Sequence, residues 1–238
     1  MNSQHGSRQE EAAGGRLTDS LIAILVLGSL WGLSEVVLGS VLAAAGVSWR
    51  SALLTGIGMG LVGIAAGALA RRRFATLAAI PVIAVACKQL VVPILGVSPL
   101  CKANSSLAVL LQGAAIAGTV TVAGRPLHKS TVARIAAGAM AAFGASIGFF
   151  VGGMQLAPCN YLLSFNRPGG LLAFIAAEGV LWAALSALLF PLGYAAGVRI
   201  RNAVPEWRAR KPWLYYGIST VLVACSWITS GIAIAAQI

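Results

Sequence analysis

Four polar side chains on four different apolar runs of this chain could act together in a site. They are two carboxylates, one ammonium and one amide: Glu35, Glu178, Lys88 and Gln112. An ionisable side chain in the hydrocarbon of a membrane costs at least about 2.5–3.5 kcal/mol, so such residues mark a functional site by default. Apolar walls with a few placed polar groups are the usual make-up of a pocket for a small organic ligand.

The positions of the four residues within their runs predict a common depth. At about 1.5 Å per residue, Glu35 and Lys88 lie roughly 20 Å from the starts of their runs. Gln112 and Glu178 lie about 10 Å from the starts of runs that cross in the opposite direction. We therefore expect all four at one level, in the outer half of the bilayer and open toward the outside.

Two tryptophans extend this polar layer. Trp31 lies one helical turn from Glu35, and Trp182 lies one turn from Glu178, so each carboxylate has an indole on its own helix face. Asn104, at the outer start of the fourth run, is a further candidate. The predicted substrate-binding residues are Glu35, Lys88, Gln112, Glu178, Trp31, Trp182 and Asn104.

Lys88 has two interpretations. It either forms a structural ion pair with one of the two glutamates, or lines a polar chamber built from several helices. A structural pair leaves the second carboxylate buried without a partner unless it is protonated. The surplus carboxylate favours a functional role, in which Glu35 or Glu178 meets a cationic part of a substrate or takes up a proton.

The elements that hold these residues are membrane-spanning helices. The chain has 238 residues, of which 58% are hydrophobic and 10% charged, with a mean hydropathy of +0.87. A helix needs roughly 20 mostly apolar residues to cross a bilayer, and the composition favours an all-α polytopic membrane protein of about seven transmembrane helices. We predict spans at Leu21–Ala44, Ser51–Ala70, Phe74–Leu95, Ser105–Ala123, Ile135–Leu156, Leu171–Val198 and Leu214–Ile238.

The basic residues indicate the orientation of these helices. Thirteen of the seventeen Lys and Arg side chains fall in the N-terminal segment and in the second, fourth and sixth connections. The other connections hold only Arg50, Lys102 and Arg167. By the positive-inside rule, the N-terminus is cytoplasmic and the C-terminus is outside the inner (cell) membrane. The net charge of +11 therefore reflects topology, and we expect no nucleic-acid partner.

One terminal arm and one domain follow from this organisation. Residues 1–17 are polar and predict a disordered cytoplasmic arm, and residues 18–238 form a single transmembrane helical domain. Within that domain, the third-fourth and fifth-sixth spans both carry a Pro-(x)-Cys in an outer connection, followed by Gln-Gly or Glu-Gly in the next helix. They predict a pair of parallel helical hairpins.

The four cysteines separate by topology. Cys87 and Cys225 lie inside spans, whereas Cys101 and Cys159 fall in outer connections, where an oxidising compartment would favour a disulfide. The same two thiols could instead act as a working dithiol. No Cys or His spacing supports a metal site, and we expect no cofactor. No nucleophile elbow, P-loop or HExxH motif appears, so we assign no catalytic residue.

Three features together resemble the substrate-binding S components of energy-coupling factor (ECF) vitamin transporters. These are "LWGLSEVVLG" in the first span, the buried lysine of "CKQLVVP", and the Gln-Gly or Glu-Gly of later spans. The resemblance covers about Leu21 to Val198. It implies capture of a vitamin or precursor from outside, with a separate transmembrane coupling subunit and two cytoplasmic ATPases as partners. It also implies pocket residues Glu35, Lys88, Gln112 and Glu178, and docking residues Gly28 and Gly32. A seventh span and the outer cysteines depart from this family's pattern.

Three functions follow as hypotheses. The first is an integral membrane protein that binds a small organic solute in an outward-facing pocket and takes part in its uptake, without being an enzyme. The second is a membrane-embedded thiol redox enzyme that uses Cys101 and Cys159. The third is a structural subunit of a larger membrane complex, with Lys88 and the glutamates as structural pairs.

Overall fold

Helices make up all the regular secondary structure of the described residues. The computed structural model describes residues 3–69 and 74–237, with side chains described for residues 17–69 and 74–237. Its α-helices are Ser3–Leu33, Gly39–Ala44, Arg50–Ala68, Phe74–Lys88, Val91–Leu95, Ala103–Ala123, Pro126–Lys129, Thr131–Leu156, Asn160–Leu163, Gly170–Phe174, Val180–Arg210 and Pro212–Ala235. Two π-helical turns, Ser34–Leu38 and Ile175–Gly179, and one 3₁₀ turn, Pro99–Lys102, join them.

Seven of the described helical segments are long and apolar enough to cross a membrane. In chain order, these first to seventh spans are Leu17–Ala44, Arg50–Ala68, Phe74–Leu95, Pro99–Ala123, Thr131–Leu156, Gly170–Arg210 and Pro212–Ala235. Each contains a window with a mean hydropathy of 1.7 or more. The prediction of an all-α multi-pass membrane protein with seven spans is therefore confirmed by length and composition.

Side-chain contacts show that successive spans run in opposite directions. The end of the first span contacts the end of the third, where Lys88 bonds Glu35. The starts of the second and fourth spans meet where Gln112 bonds Thr55. At the other end of the bundle, Arg208 of the sixth span pairs with Asp19 of the first, Nη1 to Oδ1, at 2.6 Å. We call the end of the bundle that contains Lys88 and Thr55 the upper face.

Glycines let the long helices approach closely. A Cβ added to Gly63 of the second span would lie 2.7 Å from the carbonyl oxygen of Phe190 in the sixth span. Gly28 and Gly32 pack the first span on the third in the same way, since added Cβ atoms would lie 2.7 Å from the Ile80 oxygen and 2.6 Å from the Cys87 Cβ. Close backbone approach replaces the missing hydrophobic drive between helices in lipid. The third span therefore already covers the two glycines that the family resemblance implies as docking residues.

The sixth span differs most from the sequence-based boundaries. Its helix continues to Arg210, although the segment after Val198 was expected to be a cytoplasmic loop. The ion pair of Arg208 with Asp19, and an i,i+4 pair of Arg210 with Glu206, stabilise this polar extension. The predicted span ends at Ala70 and Ile238 lie outside the described residues. The disordered arm (residues 1–17), the single domain (18–238) and the parallel repeat stay predictions.

Candidate functional site

Lys88 forms an ion pair with Glu35. Its Nζ lies 2.6 Å from Glu35 Oε2, and the two side chains are only 10% and 8% exposed. This contact joins the third span to the first just below the upper face. Of the two carboxylates that the sequence left open as partners for Lys88, the structure selects Glu35.

Glu178 is held entirely by neutral donors. Tyr161 donates from its hydroxyl to Oε1 at 2.7 Å. Trp182 donates from Nε1 to Oε2 at 3.1 Å, and the Ser51 hydroxyl donates to the same oxygen. The second carboxylate is therefore not left without partners, as the sequence-based argument for a surplus carboxylate had assumed. Three hydrogen bonds satisfy this partly buried carboxylate without a cation in contact.

Gln112 belongs to a chain of hydrogen bonds whose direction is fixed. The Thr55 hydroxyl donates to the Ser51 carbonyl at 2.8 Å, so it must accept from Gln112 Nε2, also at 2.8 Å. This assigns the amide nitrogen to Thr55. The other amide atom, Gln112 Oε1, is buried and has no hydrogen-bond partner among the described residues. An unsatisfied buried acceptor costs about 1–3 kcal/mol, which a ligand donor could recover.

These groups surround one cavity. It has a volume of about 330 Å³ and lies between the first, second, third, fourth and sixth spans. Its lining residues are Glu35, Gly39, Ser40, Ala43, Arg50, Ser51, Leu54, Thr55, Lys88, Lys102, Ser105, Gln112 and Trp182. Ligand pockets range from about 300 to 1,000 Å³, so the cavity suits a small solute.

Both intramembrane glutamates lie in π-helical turns. Glu35 is in Ser34–Leu38 and Glu178 is in Ile175–Gly179. A π-turn inserts an extra residue into the helix and shifts the side chains that follow it, and such turns occur frequently at functional sites. In both spans a tryptophan, Trp31 or Trp182, lies one turn away toward the lower end of the bundle, and of the two only Trp182 donates a hydrogen bond to its glutamate. The two carboxylates thus share a π-turn that hydropathy alone did not predict, although Glu35 pairs with a cation and Glu178 accepts from neutral donors.

Four of the seven predicted residues line the cavity: Glu35, Lys88, Gln112 and Trp182. Glu178 borders it through its bonds to Ser51 and Trp182. Trp31 and Asn104 do not line it. The Trp31 ring is fully buried against Gly58 of the second span, with no hydrogen-bond partner for Nε1 among the described residues. Asn104 Nδ2 is likewise buried and unpartnered.

The two outer cysteines are separate thiols in this structure. Cys101 is exposed, Cys159 is partly buried, and both are free. Neither thiol lines the cavity. Their pairing as a disulfide or as a working dithiol stays a prediction.

Sequence reasoning did not predict nine of the thirteen lining residues, and among these nine are Arg50, Ser51, Thr55 and Lys102. Ser51 and Thr55 lie one turn apart at the start of the second span, so a polar pair at i,i+4 in an apolar run was the available signal. Arg50 and Lys102 were used only to predict the topology, although they are two of just three basic residues in the upper connections.

Comparison with known proteins adds no further assignment: no family model, curated protein or solved structure matches the chain.

Proposed function

We propose that this membrane protein binds a small organic solute in the cavity below its upper face and takes part in the uptake of that solute. The observation that carries the proposal is the convergence of side chains from five spans on one cavity of about 330 Å³. Structural ion pairing alone explains Lys88 and Glu35 but leaves this cavity unexplained.

The polar groups around the cavity are held in place before any ligand binds. Lys88 is fixed by Glu35, and Ser51 is fixed between Glu178 and Trp182. Groups that are already ordered lose little freedom when a ligand arrives, which strengthens binding. A cavity of preset hydrogen-bond donors and acceptors with apolar walls favours specific binding of a small molecule over lipid-like contact.

The direction of uptake rests on the charge distribution. Thirteen basic residues in the N-terminal segment and in the second, fourth and sixth connections, against three in the other connections, support an orientation with the upper face outside the inner membrane and the cavity open outward. Labelling of the exposed thiol of Cys101 with a membrane-impermeant maleimide in intact cells tests this, in a variant whose other three cysteines are serine. We expect labelling without cell lysis; labelling only after lysis contradicts the outward opening.

The sequence leaves the energy source open between a gradient and a separate subunit, and the family resemblance favours the separate subunit. That resemblance implies a transmembrane coupling subunit and two cytoplasmic ATPases as partners for this chain. Gly28 and Gly32 pack against the third span inside the bundle. A coupling subunit would therefore contact other residues of this chain.

Solute retention by the purified protein tests the proposed function. The protein in a non-ionic detergent is incubated with an equimolar pool of small aromatic and aliphatic carboxylic acids, the matching amides and the matching amines. After rapid gel filtration, the retained molecules are identified by mass spectrometry. Ala43→Trp fills the cavity, whereas Ala44→Trp adds the same ring at a neighbouring exposed residue outside the lining.

The two variants give opposite expectations. We expect wild type and Ala44→Trp to retain the same molecule or molecules, and Ala43→Trp to lose them. If no pool member is retained better by wild type than by Ala43→Trp, the cavity is not a solute site and the proposed function fails.

A further inference from the structure

The charged side chains around the cavity are unequal in number. Three lining residues are basic, Arg50, Lys88 and Lys102, whereas Glu35 is the single acidic one. Glu35 already pairs with Lys88. Arg50 and Lys102 therefore stand at the cavity with their charges uncompensated by the lining itself.

None of the described carboxylates forms an ion pair with either of these two cations, and Glu178, at the border of the cavity, is the one carboxylate among them that no cation contacts. Asp19 pairs with Arg208 and Glu206 pairs with Arg210, on the lower side of the bundle. Glu178 accepts its hydrogen bonds from neutral groups. Among residues 17–69 and 74–237, neither Arg50 nor Lys102 forms an ion pair with a side chain.

We infer that the cavity selects an organic anion, with Arg50 and Lys102 binding its carboxylate. This rests on the proposed function and narrows its substrate class. Arg50 begins the second span and Lys102 ends the 3₁₀ turn that opens the fourth span, and both side chains are exposed at the mouth. A basic mouth above low-dielectric walls concentrates field lines and attracts anions into the cleft.

The deeper end of the cavity indicates the remaining features of the solute. Lys88 and Gln112 are 9% and 3% exposed, so they form its buried floor. Gln112 Oε1 lacks a hydrogen-bond partner among the described residues, so it can accept one N–H or O–H group of the solute. The volume corresponds to about ten water molecules at roughly 30 Å³ each. These features describe a small carboxylic acid with a hydrogen-bond donor at the end remote from its carboxylate.

The solute differs from the one that the sequence suggested. There, Glu35 and Glu178 were candidates to meet a cationic group. In the structure, Glu35 is neutralised by Lys88, and Glu178 does not line the cavity. Counting both Glu35 and Glu178 against Arg50, Lys88 and Lys102, two carboxylates face three cations, so the local charge is still positive and favours an anion over a cation.

The retention assay also tests this inference, because its pool contains acids, amides and amines of the same carbon skeletons. We expect wild type to retain acids at least about tenfold better than the matching amides and amines, since a hydrogen bond to a charged group contributes that factor or more. Retention should fall about tenfold or more in Arg50→Gln/Lys102→Gln. Arg167→Gln removes the third upper basic residue, which lies outside this cavity, and should change nothing.

The outcomes separate the two claims. If wild type retains amides or amines as well as acids and Ala43→Trp loses them, the function stands and the anion inference is overturned. Equal retention of acids by Arg50→Gln/Lys102→Gln and by Arg167→Gln also overturns it.

A lipid phosphate could present the same anionic chemistry to Arg50 and Lys102. Repeating the retention assay in phosphatidylcholine nanodiscs with and without phosphatidylglycerol distinguishes a soluble acid from a lipid phosphate as the bound anion. We expect acid retention in both; complete loss in the presence of phosphatidylglycerol assigns the cations to lipid and overturns the inference.

Discussion

Lys88 of the third span and Glu35 of the first form a buried ion pair, with Nζ 2.6 Å from Oε2. The pair lies at the bottom of a cavity and beside a π-helical turn, so it both joins two helices and fixes the position of an ammonium group. Glu35 also cancels the charge that an unpaired Lys88 would otherwise place in the bilayer.

Removal of one partner of this pair should destabilise the protein. Because it leaves an uncompensated buried charge, Lys88→Met or Glu35→Gln is expected to lower the free energy of unfolding by roughly 3–5 kcal/mol. The double variant Glu35→Met/Lys88→Met should recover most of this loss. Thermal unfolding in detergent measures the effect, with Lys102→Met as a control that removes an exposed, unpaired lysine. Single variants as stable as wild type would contradict the assigned pair.

Tyr161 should ionise at unusually high pH. Partial burial and the hydrogen bond to Glu178 raise the pKa of its phenol above the ordinary value of about 10. Only the neutral phenol can donate this hydrogen bond. Its contribution to the stability of the folded protein is therefore complete below the ordinary phenol pKa and is lost as the pH rises through the higher pKa of the folded state. The ultraviolet titration curve of Tyr161→Phe, subtracted from that of wild type, gives the pKa of this single phenol.

Glu178→Gln supplies the check on that assignment. It removes the negative charge but keeps an oxygen that can accept from Tyr161, so we expect the phenol pKa to fall. An unchanged titration curve in Glu178→Gln would show that the two residues are not in contact.

Gly63 should tolerate no side chain. An added Cβ would lie 2.7 Å from the Phe190 oxygen, a backbone atom that cannot move aside alone. We expect Gly63→Ala to cost about 1–3 kcal/mol of stability through overpacking. Gly144→Ala is the matched control, since nothing lies within 4 Å of its added Cβ. Because alanine favours a helix interior by roughly 0.5–1 kcal/mol, Gly144→Ala should be neutral or stabilising. Equal effects at both positions would contradict the packing of the second span on the sixth.

The outer thiols should not matter for solute binding. Since neither Cys101 nor Cys159 lines the cavity, Cys101→Ser/Cys159→Ser is expected to retain solute as wild type does. Retention that disappears in this variant, together with cycling of the pair between thiol and disulfide, would favour the redox hypothesis instead.

The sequence predicted the spans well because hydropathy over about 20 residues is set by the bilayer itself. It also identified Glu35, Lys88, Gln112 and Trp182, since polar groups inside apolar runs are conspicuous. It could not choose the partner of Lys88, because that depends on how each helix is rotated about its axis, which packing at residues such as Gly32 decides.

The hydroxyl network was hidden for a different reason. Ser and Thr inside membrane helices commonly bond their own backbone, so Ser51 and Thr55 did not stand out as site residues. Likewise, the π-turns at the two glutamates change the local helix without any change in composition. Arg50 and Lys102 were used only to predict the orientation of the helices, so their position at the cavity mouth was not considered.

An experimental structure of the purified protein with its retained solute tests the central claim most directly. The account predicts solute density in the cavity between the first, second, third, fourth and sixth spans, with an acidic group in contact with Arg50 and Lys102 and a donor near Gln112 Oε1. Solute bound at another surface of the bundle, with this cavity empty or filled by a lipid chain, would contradict it.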